Sequence, residues 1–310
     1  MRGRDTSRLR VLVACRTADY PSGLTAVLQQ AVGGCVLADL APLTREEAVT
    51  LAKSADVDGE AVVAATVAAG AGTLASVPLT LELLVRVFRQ AGVLEGSPAE
   101  LFAKGARLLA DEHDDRRRAA DTVASLDQRM AIARRIAARL LLAGRRTIWR
   151  GPDLDSGPLD VRAGSLTGGT ERTVSGPFEV TAAMVSATLG TALFTGRGEH
   201  RLAFRHSSLA AYLAVCHLRE HQVPHRQLAT LFLVAGGDAT TSIPVPLRET
   251  AAWLVALDPA HADWLATADP ESLAAHSAVV DSTAMKTLLV EGLLDRAPQL
   301  ELSGASTRRA

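Results

Sequence analysis

The chain has 310 residues and a mass of 32.6 kDa, a length that predicts about two domains. A hydrophobic fraction of 48% beside a charged fraction of 22% excludes a generic disordered chain. A net charge of −1 excludes a strongly basic nucleic-acid binder at the level of the whole chain. The three cysteines, at positions 15, 35 and 216, are odd in number and widely spaced. This excludes a disulfide framework and indicates a cytoplasmic location.

The first third of the chain begins with strand-like runs and then becomes helical. Two short apolar runs, at residues 9–14 and 35–39, are typical of strands buried in a parallel sheet. Thr44 followed by Glu47 forms a capping box that predicts a helix to about residue 55. Uncharged residues 61–81 contain two Gly, one Pro and many small side chains, so we interpret them as packed helices and expect no membrane span. Further helices are predicted over residues 59–70, 78–92 and 97–111.

The middle of the chain has the element order of a winged-helix module. Ser125 with Gln128 makes a second capping box, which predicts an amphipathic helix. Residues 150–180 are predicted to be rich in loops, and a further helix, a strand near residues 200–205 and another helix follow. We expect Ser207 and Ser208 to cap this last helix. Beyond it the pattern is helical to the polar tail.

Known catalytic and metal-binding motifs are not found in the sequence. None of the three lysines completes the phosphate-loop pattern G-x-x-x-x-G-K-[ST]. His217, His221 and His225 are spaced by four and would lie on one face of a continuous helix. Pro224 is expected to end that helix, so the sequence predicts no metal site and no catalytic residue.

The run RLAFRHSSLAAYLAVCHL at residues 201–218 resembles the winged-helix motif of the NACHT-type STAND ATPases, a family of signalling NTPases. Other segments resemble the same family in its order along the chain, and several of them resemble its bacterial antiphage branch. These segments are VLVACRT (11–17), VLADLAPLTREEAVTLA (36–52), SVPLTLELL (76–84), TALFTGRG (191–198), LRETAAWLVALDP (247–259) and DPESL (269–273).

The resemblance implies a mostly α fold divided into four parts. Residues 1–42 would be a remnant of the α/β sheet of a P-loop NTPase, including its sensor-1 strand. Residues 43–124 would form a helical lid, and residues 125–222 a winged-helix-like domain. Residues 223–310 would form a helical region that leads toward a sensor.

The resemblance also implies three nucleotide-binding residues. Arg16 would be the sensor-1 arginine on the γ-phosphate side, and Pro78 would lie against the adenine base. His206 would donate a hydrogen bond to the β-phosphate of ADP and so hold the closed state. The implied cofactor is ADP or ATP with Mg²⁺. Leu209 and Ala211 stand where the family has an aromatic and an acidic residue.

The family's phosphate loop and its acidic magnesium-binding strand precede the sensor-1 strand. We therefore expect this chain to be the C-terminal portion of such a protein, from a truncated gene model, a split gene or a decaying remnant, and incomplete for ATP hydrolysis by itself. The expected function is that of a nucleotide-state switch in bacterial antiviral defence or signal transduction, with protein partners or self-oligomerisation. Two alternatives stay open, a winged-helix DNA-binding regulator and a helical scaffold for protein partners. Nucleic-acid binding is the less expected of the two, because the predicted recognition helix at residues 207–217 consists almost entirely of apolar and small residues.

Overall fold

The computed structural model describes residues 12–13, 24–32, 36, 41–69, 71–111, 123–197, 200–235, 241–280 and 282–306. The chain divides into two compact units, Met1–Pro42 and Leu43–Ala310. In the first unit the described helix is α1 (Leu24–Val32). The strands predicted at 9–14 and 35–39 lie mostly outside the described residues. Their described members, at positions 12, 13 and 36, are not in a strand.

The second unit begins with a helical region whose boundaries follow local capping signals. Its helices are α2 (Arg45–Lys53), α3 (Gly59–Ala68), α4 (Gly72–Ala75), α5 (Pro78–Ala91) and α6 (Pro98–Asp111). Thr44 and Glu47 form the predicted capping box, with each side chain accepting from the other's backbone N–H. Helix α5 begins at Pro78 and ends before Gly92, whose φ of 74° is the left-handed conformation that glycine adopts easily. These predictions are confirmed.

The middle of the unit combines helices with small sheets. Its elements are α7 (Leu126–Leu142), β1 (Thr147–Trp149), β2 (Asp160–Arg162), β3 (Thr170–Thr173), β4 (Gly176–Glu179), α8 (Ala182–Leu189), β5 (Phe194–Gly196), β6 (Arg201–Phe204) and α9 (Ser207–Glu220). A four-stranded sheet has the order β2-β1-β6-β5, in which β1 and β2 are parallel and the other pairs antiparallel. Strands β3 and β4 form a separate hairpin.

The prediction of a loop-rich segment at 150–180 is wrong in part, because that segment contains β2 and the β3–β4 hairpin. Each of these strands has only three or four residues, so alternation of apolar and polar side chains is too short to recognise.

The structure also corrects an expectation about α9. This helix begins at Ser207, and its N-cap residue is His206, whose side chain makes no capping hydrogen bond. Ser207 and Ser208 lie inside the first turn rather than at the position from which a hydroxyl accepts the free N–H groups. The prediction that these serines cap the helix is therefore wrong.

The last part of the unit is helical with one small hairpin. Its elements are α10 (His225–Phe232), β7 (Val234–Ala235), β8 (Thr241–Ser242), α11 (Arg248–Leu257), α12 (Pro259–Ala268), α13 (Pro270–Ala274) and α14 (Thr283–Ser306). Within the described ranges no helix is both long enough and apolar enough to cross a bilayer.

One apolar core runs through the second unit. Helices α7 and α9 pack extensively against each other through buried Leu, Ile and Ala side chains. Phe102 of α6, Tyr212 of α9 and Trp253 of α11 form an aromatic cluster, with ring centroids 4.7–5.5 Å apart. All three rings are buried. This aromatic cluster connects the three regions that the sequence separates at residues 124 and 222.

Candidate functional site

His206 lies at the junction between strand β6 and helix α9 and is 4% exposed. Its Nε2 atom is 3.5 Å from Oε2 of Glu82, which lies on helix α5. Its Nδ1 atom is buried, and no described residue hydrogen-bonds to it. His206 therefore contacts the helical region at 43–111 while retaining an unsatisfied polar atom of its own.

Burial keeps His206 neutral. It lowers the pKa of this imidazole from its ordinary value of 6.5, although the Glu82 carboxylate acts in the opposite direction. The positive charges of Arg205 and Arg86 also lower this pKa. A neutral imidazole has one N–H donor and one acceptor nitrogen, so His206 can donate a single hydrogen bond to an anion.

The strand that precedes His206 is held by a buried carboxylate. Asp160 of β2 accepts hydrogen bonds from Nε and Nη2 of Arg201 on β6, at 2.9–3.2 Å. It also accepts from the Thr147 hydroxyl on β1 and from the Gly157 backbone N–H. Because Asp160 connects three strands of the sheet, it holds the first residue of β6, the strand that leads to His206.

Glu82 also lines a cavity of about 500 Å³ beside helices α5 and α6. Arg86 and Arg89 line the same cavity, and Arg86 Nη2 is 3.1 Å from Glu82 Oε1. Asp111 lies at its α6 side. Known small-molecule sites occupy about 300–1,000 Å³, so the cavity is large enough for a ligand of nucleotide size.

Of the three residues implied by the resemblance, the structure describes Pro78 and His206. Pro78 is exposed at the first position of α5, one turn before Glu82 on the same helix. Arg16 lies outside the described residues, so its position relative to the other two stays a prediction.

Glu82 is the member of this site that the sequence analysis missed. Its position within the SVPLTLELL segment was visible, but a glutamate on an amphipathic helix is commonly a solvated residue. The pairing of Glu82 with His206 depends on the packing of α5 near the β6–α9 junction, which no local sequence pattern reports.

No protein-family model matches this chain, and no curated protein matches it significantly.

Proposed function

We propose that this chain is the lid and winged-helix portion of a nucleotide-state switch, of the kind found in NACHT-type STAND ATPases. The observation that carries the proposal is the contact between His206 and Glu82. It connects the β6–α9 junction with helix α5, and these are the two regions that would close around the phosphates and base of ADP. His206 is also the residue to which the resemblance assigns the phosphate contact.

The chemistry of the site suits an anionic ligand. The first turn of α9 has no side-chain cap, so its N–H groups and the positive end of the helix dipole are available to a phosphate. Arg86 and Arg89 line the neighbouring cavity and add positive charge.

In this proposal the Glu82 carboxylate occupies the place of a phosphate oxygen. A carboxylate and a phosphate are both anionic oxygen acceptors, and either can accept the hydrogen bond of a neutral imidazole. Binding of ADP would transfer His206 from Glu82 to the β-phosphate. Because ADP would contact His206 in the closed arrangement alone, it would shift the population toward that arrangement.

The test is ADP binding by the purified chain, followed through the ¹⁵N-labelled imidazole resonances of His206. We expect millimolar ADP to shift these resonances and AMP, which has no β-phosphate, to leave them unchanged. His206→Ala should weaken ADP binding about tenfold to a hundredfold, since one hydrogen bond to a charged acceptor contributes about 1.5–3 kcal/mol. Glu82→Gln should strengthen binding because it removes the competing anion.

His276→Ala is the matched control. His276 is a half-buried histidine whose pKa is also lowered by burial, but it lies near Arg248 and not beside Glu82. The variant should bind ADP as the unaltered chain does. The proposal fails if ADP and AMP shift the His206 resonances equally, or if His206→Ala and His276→Ala have the same affinity.

The burial of α9 disfavours the alternative that the chain is a winged-helix DNA-binding regulator. A recognition helix must present polar side chains to base edges in the major groove. In α9 the seven consecutive residues from Leu209 to Val215 are all buried. This helix therefore functions as part of the core rather than as a reading surface.

A further inference from the structure

Three side chains that commonly bind metals converge at the far end of α9 from His206. They are Glu171 of strand β3 and the histidines His217 and His221. One ligand atom from each residue lies within 4.8 Å of the others. Glu171 is buried, His217 is half-buried and His221 is exposed, so the cluster extends from the interior to the surface.

The ring of His221 is already oriented for binding a cation. Its Nδ1 lies 3.0 Å from the backbone oxygen of His217, one turn earlier on the helix, and Nδ1–H donates to that oxygen in the neutral ring. Such a bond leaves the lone pair on Nε2, as in many metal-bound histidines. Nε2 in turn lies 3.4 Å from Oε2 of Glu171. Two acceptor atoms at this separation require a proton or a metal ion between them.

The two oxygens of Glu171 have different neighbours. Oε1 lies 3.5 Å from Nη1 of Arg135 on α7, and this buried pair fixes the plane of the carboxylate. Oε2 faces the histidines. Arg135 would therefore orient Glu171 so that Oε2 is the oxygen that binds a metal ion.

Two further arginines near the cluster have partners of their own. Arg134 pairs with Glu220, and Arg139 donates to the Ser165 carbonyl.

We propose that Glu171, His217 and His221 form a binding site for a divalent transition-metal ion, with Zn²⁺ as the preferred ion. Zn²⁺ favours nitrogen and carboxylate ligands at about 2.0–2.2 Å in a tetrahedron, so adjacent ligand atoms are about 3.3–3.6 Å apart. The 3.4 Å between Glu171 and His221 has this spacing. The remaining separations, at most 4.8 Å, shorten to it through side-chain rotation.

A metal ion bound here would connect the β3–β4 hairpin to the end of α9. Three protein ligands leave one tetrahedral position for water, on the exposed His221 side. The positive charge of Arg135 beside Glu171 opposes a second cation, so we expect an affinity in the micromolar range rather than the tighter binding of closed structural zinc sites.

The test measures Zn²⁺ binding to the metal-free full chain by isothermal titration calorimetry, with thermal unfolding as a second readout. We expect one equivalent of Zn²⁺ to bind and to raise the unfolding temperature, while Mg²⁺ does neither. Glu171→Gln and His221→Ala should each weaken binding at least about a hundredfold, because loss of even an outer-shell partner costs about 10–100-fold. Substitution by Co²⁺ should give the visible absorption of a tetrahedral site.

His225→Ala is the matched control, because His225 continues the same four-residue spacing but begins α10 and packs against Trp264. It should bind Zn²⁺ as the unaltered chain does, and circular dichroism should establish that each variant is folded. The proposal is overturned if Zn²⁺ does not bind, if folded His221→Ala binds it with unchanged affinity, or if His225→Ala weakens binding as much as His221→Ala. Failure to bind Zn²⁺ would identify the contact between Glu171 and His221 as a shared proton.

Discussion

At the scale of single residues, Asp160 shows how one buried carboxylate can order a sheet made of very short strands. Burial alone would raise the pKa of Asp160, but hydrogen bonds from Arg201, Thr147 and Gly157 outweigh it and lower the pKa to about 2. Arg201 also lies over the ring of Trp149, with Cζ 4.5 Å from the ring centroid. The carboxylate thus joins β1, β2 and β6, each of which has too few ladder hydrogen bonds to be stable alone.

We expect Asp160→Asn to reduce the free energy of unfolding by about 1–3 kcal/mol, because the amide loses the charge and points a donor at existing donors. Asp153→Asn, which breaks the exposed pair with Arg162, should change it by less than about 0.5 kcal/mol. Urea denaturation measures both. Equal effects of the two substitutions would contradict the role given to Asp160.

The same group predicts a pH dependence. The pKa of Asp160 is lower in the folded chain than the unfolded value of about 3.9, so its contribution to stability is complete above that value. The contribution is lost as the pH falls through the folded value of about 2. The stability difference between the unaltered chain and Asp160→Asn should therefore shrink between pH 5 and about pH 2. A difference that is constant over this range would show that the pKa of Asp160 is the same in the folded and the unfolded chain.

At the scale of elements, the close approach of helices α2 and α3 depends on the first residue of α3. A Cβ added at Gly59 would lie 2.3 Å from the backbone oxygen of Val49, which belongs to α2 and cannot rotate away. Gly72, the first residue of α4, has the matching position in its helix, and a Cβ there would make an ordinary 3.5 Å contact with Val67. The two glycines differ in their surroundings and not in helical position.

Gly59→Ala should therefore destabilise the chain by about 1–3 kcal/mol, even though alanine is the better helix former. Gly72→Ala should be neutral or stabilise by up to about 1 kcal/mol, since it restricts the unfolded chain without a clash. Thermal unfolding of the two variants side by side provides the measurement. If both substitutions raise the midpoint, helix propensity and not packing decides stability at residue 59.

At the scale of the whole molecule, the aromatic cluster of Phe102, Tyr212 and Trp253 joins three regions of the chain, and we expect these regions to unfold cooperatively. The rings come from α6, α9 and α11, and each is buried against the other two. Aromatic pairs of this geometry contribute about 0.5–1.5 kcal/mol beyond the area that they bury. Opening any one of the three regions would expose the other two.

Phe102→Ala should reduce the free energy of unfolding by about 3–5 kcal/mol. Hydrogen exchange should show that the most protected amides of α6, α9 and α11 lose protection by the same factor, because they unfold together. Phe178→Ala, which removes a half-buried ring from the β3–β4 hairpin, should have a smaller effect. Loss of protection confined to α6 would show that the regions unfold independently.

The predictions from sequence succeed where the signal is local and fail where it is not. Local signals can be recognised directly in the sequence, because the residues that interact are only a few positions apart. Examples are the capping boxes at residues 44–47 and 125–128 and the Pro–Gly boundaries of α5. The sheet order depends on contacts such as that of Asp160 with Arg201, which are 41 residues apart. No window of sequence contains such a pair.

The candidate sites divide in the same way. The motif at residues 201–218 indicates His206, whereas its partner Glu82 belongs to a helix more than 100 residues earlier in the chain. The four-residue spacing of His217, His221 and His225 predicts no metal site, because Pro224 is expected to end the helix before His225. The carboxylate that lies beside His217 and His221 belongs to strand β3, inside the segment predicted to be rich in loops.

The aromatic cluster has a consequence for the evolution of such chains. Phe102, Tyr212 and Trp253 each come from a different one of the predicted regions, so recombination near residues 124 or 222 would combine rings selected in different ancestors. A mismatched ring leaves a void or a clash in a close-packed interior. We therefore expect homologues to exchange residues 43–310 as a block, and substitutions at these three positions to occur together along a lineage.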